Sequence, residues 1–297
     1  MTIKRLFIVH VLLGLFAGTV NAQYGSQWRK FRQEVFLGIG GTGFLGELGG
    51  ADQEGTHFVR DYEISYTRPL FYAGYRYKLS ESFSVKGTGA FGWVYGDDAT
   101  TNEIHRRARN LSFRSPIAEV GAHIEYHILK EQFGHRYDLR RNRGQKNSPS
   151  LYVFTGINGF WFNPKGQYTD GEWYALQPLG TEGQGRVSTR EPFHRISWSV
   201  PIGFGMNYLL DRNWGIGFEL GARYTGTDYI DDVSTTYVDP NLFDDPIARF
   251  FADRSDDWYG AAVYNQRGDS NYNDAYSFFT LNVSYKLRPK GPSIPKF

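Results

Sequence analysis

The chain has 297 residues, among them 35 Gly, 23 Phe, 21 Tyr, 7 Trp and no Cys, with 33 Lys and Arg against 31 Asp and Glu. So many aromatic residues exclude a disordered tail, and the lack of Cys excludes a disulfide scaffold. Its only long apolar run is N-terminal and Gly or polar residues break the rest, which excludes a bundle of membrane helices and leaves an all-β chain, soluble or barrel-forming.

At the N-terminus Lys4 and Arg5 precede the apolar stretch Leu6 to Phe16, and small residues follow to Val20-Asn21-Ala22. This is the pattern of a secretory signal peptide over 1–22, too short in its apolar part to span a bilayer. Its loss removes two cations and leaves a mature chain of zero formal charge, so a nucleic-acid partner is not expected. A short periplasmic segment, 23–33, would follow.

Side chains alternate between the faces of a strand, so each segment was divided by parity. Glu34 to Leu45 sets Val35, Leu37 and Ile39 against Phe36, Gly38 and Gly40. Leu70 to Leu79 sets Phe71, Ala73, Tyr75 and Tyr77 against Tyr72, Gly74, Arg76 and Lys78. Phe83 to Tyr95 sets Val85, Phe91 and Trp93 against Ser84, Lys86 and Thr88. Pro116 to Ile128 sets Val120, Ile124 and Tyr126 against Glu119, His123, Glu125 and His127. Leu151 to Phe162 is apolar on both parities. Arg195 to Tyr208 and Trp214 to Tyr224 each oppose an apolar face to one carrying Gly and charge, including Arg195, Glu219 and Arg223. Phe279 to Leu287 opposes Leu281, Val283 and Tyr285 to Asn282, Ser284 and Lys286.

Eight strands of about ten residues, with aromatics at their ends, fit an all-β, eight-stranded antiparallel transmembrane barrel with long extracellular loops, spanning 34–287. In so narrow a barrel side chains fill the interior. A lumen network of Arg76, Lys86, Glu119, His123, Glu125, His127, Arg195, Glu219 and Arg223 is therefore expected, because buried charge must be compensated. The joins 80–82 and 209–213 are tight, whereas 46–67, 96–114, 163–193 and 225–275 are long. That alternation places both termini on the periplasmic side of an outer membrane, before a Pro-rich tail, 288–297. The join 129–149 is the exception, falling where a short turn belongs.

Charge separates by loop. Segment 225–275 holds eleven Asp and three Arg, while 129–149 carries Lys130, Arg136, Arg140, Arg141, Arg143 and Lys146 against Glu131 and Asp138. The basic insertion, through Arg136, Arg140, Arg141, Arg143 and Lys146, is the candidate contact for a periplasmic partner. The acidic loop is either solvated or a weak cation site through Asp228, Asp231 and Asp232, and a surface ligand-binding barrel or narrow channel is the alternative function.

Chemistry is otherwise sparse. Gly38 to Gly43 and Gly87 to Gly92 fit G-x-G-x-x-G, but no helical pattern follows to cradle a phosphate. Glu119, His123, Glu125 and His127 share a strand face at spacings of about 7 Å, too wide for tetrahedral metal ligation without neighbouring strands. Ser112 and Ser115 have no evident base, and His105, His135 and His194 read as surface residues, so neither enzymatic activity nor a cofactor is expected.

Several runs carry a resemblance: Tyr75-Arg76-Tyr77, Gly96-Asp97-Asp98, Arg109 to Glu119 (RNLSFRSPIAE), Phe162-Asn163-Pro164, Leu176 to Gly185 (LQPLGTEGQG) and Thr227 to Tyr237 (TDYIDDVSTTY). In these, from about Glu34 to Leu287, the chain resembles the PorG-like outer-membrane barrels of Bacteroidetes. The resemblance implies a barrel of the type IX secretion and gliding machinery, set in the lipid bilayer and bound to a periplasmic ring made of a lipoprotein and its partner.

Overall fold

The computed structural model describes residues 27–46, 48, 66–100, 104–131, 149–211, 213–255 and 265–287. The expected signal peptide, the tail 288–297, His135 and the cations Arg136, Arg140, Arg141, Arg143 and Lys146 lie outside the described residues.

Ten strands form: β1 (Gln33–Leu45), β2 (Arg68–Lys78), β3 (Phe83–Asp97), β4 (Ser112–Leu129), β5 (Ser150–Phe162), β6 (Lys165–Gln167), β7 (Trp173–Ala175), β8 (Ile196–Leu209), β9 (Trp214–Thr225) and β10 (Ala275–Leu287). β1 pairs with both β2 and β10, and the antiparallel ladder runs β1-β2-β3-β4-β5-β8-β9-β10 back to β1. The sheet therefore closes as an eight-stranded barrel with no free edge in its wall, which removes the unpaired backbone groups an open sheet presents. The hairpin β6–β7 extends from one rim, and two short helices, α1 (Ile104–Arg109) and α2 (Pro246–Ala252), lie in the loops.

All eight wall strands fall on the segments read from the sequence, including 151–162, which is apolar on both parities there. Four run longer by two or more residues at one end: β2 begins at Arg68, β3 continues to Asp97, β4 begins at Ser112, and β10 begins at Ala275. At the start of β10 both parities are buried, Ala275 and Ser277 as well as Tyr276 and Phe278, so alternation could not mark the boundary. In β8 the ladder to β5 skips between Ile202 and Ser199, at Pro201, which has no N–H to donate.

The turns at one end are tight. Leu79 and Ser80 donate to the Phe83 carbonyl at 2.9 and 3.1 Å, and Asp211 Oδ1 accepts from the backbone N–H groups of Asn213 and Trp214 at 2.6 and 2.7 Å. Gln33 and Leu287 pair at this same end, so the wall begins and finishes beside the turns, and the long joins other than 129–149 leave from the opposite end.

Outward positions are apolar, with Leu37 72% and Val120 69% exposed, accompanied by Ile39, Phe71, Ile124, Ile157, Ile202 and Leu281. Two aromatic bands bound this surface. Tyr75, Tyr126, Tyr208, Trp214 and Tyr285 ring the turn end, and Phe91, Trp161, Trp198 and Tyr224 ring the loop end. Inward positions carry charged and hydroxyl side chains, aromatic rings such as Phe36, Phe154, Phe160 and Phe278, and glycines. A Cβ on Gly205 would fall 2.4 Å from the Tyr152 ring, so that glycine is what lets the tyrosine lie across the lumen.

Candidate functional site

β4 supplies three inward carboxyl or imidazole groups at two-residue spacing, and the opposite walls answer with cations. Arg76 on β2 donates to Glu125 at 2.7 and 3.1 Å, to Tyr152 at 3.0 Å and to Glu219 at 3.3 Å, and also pairs with Glu34. Lys86 on β3 reaches both oxygens of Glu219 on β9, at 2.8 and 2.9 Å, and lies 3.2 Å from Glu125. Tyr72 and Tyr152 donate to the same Glu219 carboxylate at 3.1 and 2.6 Å. Nearer the loop end, Tyr276 on β10 donates to Glu119 on β4 at 2.7 Å, and Arg223 lies 3.5 Å from that carboxylate with its guanidinium over the Phe278 ring.

β3 and β9 are four strands apart in either direction round the ring, as are β4 and β10. Hydrogen bonds between diametrically opposed walls leave no open axis at those two levels. Among the described residues the lumen holds five cations, Arg76, Lys78, Lys86, Arg223 and Lys286, and five carboxylates, Glu34, Glu119, Glu125, Glu131 and Glu219. The interior is thus electrically balanced, which is the condition for burying charge at all.

The histidines take neutral partners. His123 Nε2 lies 2.7 Å from Asn158 Oδ1, and His127 lies between Ser84 and Ser150, 2.9 Å from each hydroxyl. Among the described residues no three His, Asp or Glu side chains are arranged to hold a metal ion. Ser112 accepts from Arg254 at 3.2 Å and Ser115 from the Asn163 backbone at 3.1 Å. The backbone of His105 lies in α1, and His194 is exposed.

Arg195, expected in the lumen, is outside it. The wall strand begins one residue later, at Ile196, and Arg195 sits exposed on the rim with its guanidinium 3.3 Å from Asn163 Oδ1. Glu131, which sequence reasoning left in a loop, belongs to the lumen instead. It follows β4, folds under the turn end and pairs with both Lys78 and Lys286. Burial alone would raise its carboxyl, but the two ammonium groups overcome that and hold it down at about 2.

A folded cap stands over the loop end. In Leu176 to Gly185 three glycines take positive φ, Gly180 at 60°, Gly183 at 81° and Gly185 at 74°, which wraps the segment tightly round Glu182. Glu182 is fully buried and accepts from the backbone of Ser234 and Thr235 at 3.0 and 3.1 Å, from the Thr235 hydroxyl at 2.7 Å and from Arg267 at 2.9 Å. Arg267 also donates to the Asp232 carbonyl at 2.7 Å, while Thr181 donates to the Asp232 carboxyl at 2.5 Å. Asp98 takes a two-pronged bond from Arg109, at 2.8 and 3.0 Å, and Arg109 reaches the Arg267 carbonyl at 2.7 Å. Phe193 stacks on Tyr229 with centroids 4.6 Å apart.

Asp228, Asp231 and Asp232 are buried in this cap. Asp231 accepts from the backbone of Leu48 and Val233 at 3.3 and 3.0 Å and Asp232 from Thr181, so these two tie loops together, and none of the three is displayed to solvent. Burial raises the Asp232 carboxyl to about 7, against the pull of Arg267 and the Thr181 hydrogen bond. Arg267 in turn is raised because Glu182 and Asp232 outweigh its burial. The signal missed in the sequence was apolar: Ile230, Val233 and Tyr237, interleaved with those aspartates, are all buried.

Fold and site together define a closed antiparallel barrel with a side-chain-filled, charge-balanced lumen and a folded loop cap. The chain belongs to the family described as Domain of unknown function (DUF6089), which matches residues 7–265. Among solved structures it is similar to Ail, the attachment invasion locus protein of Yersinia pestis in complex with the heparin analogue sucrose octasulfate, at 11% identity and TM-score 0.38 over 87% of this chain and 99% of that one. It is similar also to Neisserial surface protein A, at 8% and 0.37 over 86% and 97% of the two chains. The outer-membrane protein AlkL in DMPC bilayers gives 10% and 0.36 over 93% and 100%. No curated protein matches the chain.

Proposed function

We propose that the protein is a non-enzymatic outer-membrane barrel that anchors a periplasmic assembly. The observation that carries this reading is the combination of an apolar outward belt, bounded by aromatic bands, with a lumen crossed by the Lys86–Glu219 pair. Such a belt is disfavoured in water and suited to hydrocarbon, while the crossed lumen suits an anchor better than a pore. With the turn end and both termini in the periplasm, Glu131 and Pro149, between which residues 132–148 run in sequence, stand on that side. The sequence resemblance in the RNLSFRSP and LQPLGTEGQG runs supports the finer assignment, to the lipoprotein and its partner in the ring of the type IX secretion and gliding machinery. Burial of Asp228, Asp231 and Asp232 speaks against cation capture by the 225–275 loop.

Affinity purification from the native envelope in mild detergent tests the proposal. The full chain is expected to bring down the ring lipoprotein, and a variant lacking 132–148, which keeps Glu131, is expected to lose it while its barrel remains heat-modifiable on gels. A full chain that retains no ring component removes the anchoring role.

A further inference from the structure

At the loop-end rim, where β5 finishes and β8 begins, a cleft of about 490 Å³ opens on the outer surface of the barrel, lined by Trp161, Gln177, Phe193, His194, Arg195 and Ile196. Its residues divide by chemistry and by height. Trp161 and Ile196 are outward-facing wall positions, 36% and 72% exposed, at the upper limit of the apolar belt. Arg195 and His194 are the next residues toward the cap, and both are exposed. The cleft therefore has a hydrocarbon-compatible lower wall and a cationic upper lip within two residues of chain.

The lip is held in place. The Phe162 backbone donates to the Arg195 carbonyl at 3.0 Å, and Gln177 Nε2 donates to the Phe193 carbonyl at 3.1 Å. Phe193 itself is clamped between Tyr229 and Phe162 in near-parallel stacks, so the chain entering the lip is fixed by the cap. Three arginines lie in this stretch. Arg190 is consumed by the Glu182 and Thr236 carbonyls and Arg186 by the Leu179 carbonyl and the Phe243 ring. Arg195 is different: its one side-chain bond is the 3.3 Å contact with an amide oxygen, and among the described residues it pairs with no carboxylate. Glu191, also exposed, is the one acidic residue from 183 to 196.

We propose that this cleft binds a phosphate-bearing acylated lipid of the outer leaflet, an acyl chain lying against Trp161 and Ile196 and the phosphate meeting Arg195 and His194. The assignment follows from charge complementarity at a fixed depth: a guanidinium immediately above an apolar wall matches a lipid phosphate immediately above its chains. It rests on the membrane-spanning reading of the barrel.

The test uses the full mature chain refolded in dodecyl maltoside and monophosphoryl lipid A as the probe, with its dephosphorylated form and phosphatidylglycerol as comparison probes, read as lipid adducts by native mass spectrometry. The wild type is expected to retain monophosphoryl lipid A in preference to both comparison lipids. Arg195→Gln is expected to weaken that retention about tenfold, the worth of one charge-assisted hydrogen bond, and Arg195→Lys to restore part of it. Heat-modifiable mobility of each variant shows that the barrel is folded. Equal retention by wild type and Arg195→Gln, or equal retention of the dephosphorylated lipid, overturns the site. Preferential retention of phosphatidylglycerol overturns the assignment to an outer-leaflet lipid. Insertion of the same protein into phosphatidylcholine vesicles is scored separately, and failure to insert overturns the membrane reading and the cleft together.

Discussion

Lys86 and Glu219 meet at 2.8 and 2.9 Å although β3 and β9 face each other across the full width of the barrel. The pair bolts opposite walls together, and Tyr72, Tyr152 and Arg76 converge on the same carboxylate. Removing one partner of a buried pair costs about 3–5 kcal/mol, whereas replacing both by apolar groups of similar volume is close to neutral. Glu219→Ala is accordingly expected to lower the unfolding free energy of the refolded barrel, read from urea titration in vesicles, by an amount in that range. The double variant Lys86→Met with Glu219→Leu should recover a large part of the loss. An unchanged midpoint for Glu219→Ala would show that the walls are held by something else.

The same crossing governs conduction. In planar bilayers the purified wild type is expected to insert without a stable ohmic current, since side chains from opposed strands occupy the axis at the Lys86–Glu219 and Tyr276–Glu119 levels. A steady open-channel conductance from the wild type would contradict a shut lumen.

The cap should loosen as pH rises. Asp232 is shifted up to about 7 by burial, above its unfolded value, so the folded cap binds a proton that the unfolded segment has already released. Stability is then greatest below the unfolded value, about 4, and declines as pH rises toward about 7. Hydrogen exchange at Asp232, Val233 and Ser234 is expected to be slower at pH 5 than at pH 8 after correction for intrinsic rates. Asp232→Asn, which tolerates the positive φ of 68°, should flatten the profile. A profile identical in wild type and Asp232→Asn would exonerate this carboxyl.

The turn end behaves in the opposite sense. Glu131 is held down at about 2 by Lys78 and Lys286 in spite of its burial, so its contribution is complete above the unfolded value, about 4.3, and is lost as pH falls toward 2. Glu131→Gln should therefore lower the urea midpoint by a nearly constant amount between pH 5 and 7. The gap to wild type should close on acidification below about 4. A gap that persists at pH 2 would place the effect in packing and not in charge.

The wall was legible because its physics is local: alternation along one strand decides which side chain faces lipid and which faces the lumen. Who pairs with whom was not, since Lys86 and Glu219 are 133 residues apart in sequence and only the closed ring brings them together. Arg195 went astray for a related reason, the parity pattern being carried one residue past the first wall position at Ile196. The cap was hidden by its composition. Eleven aspartates in 225–275 read as a solvated loop or a weak cation site, yet Ile230 and Val233 give that stretch a buried face on which Glu182 and Arg267 close.

Neutrality of the lumen sets an order of events in assembly. Lys86 and Glu219 sit on walls that are far apart in an open sheet and become neighbours only when β1 and β10 join. Until that seam forms, each inward charge needs water. Dehydration of the interior and closure of the seam are hence one step, so a half-formed sheet cannot shed its solvent early and slip, partly zipped, into the hydrocarbon.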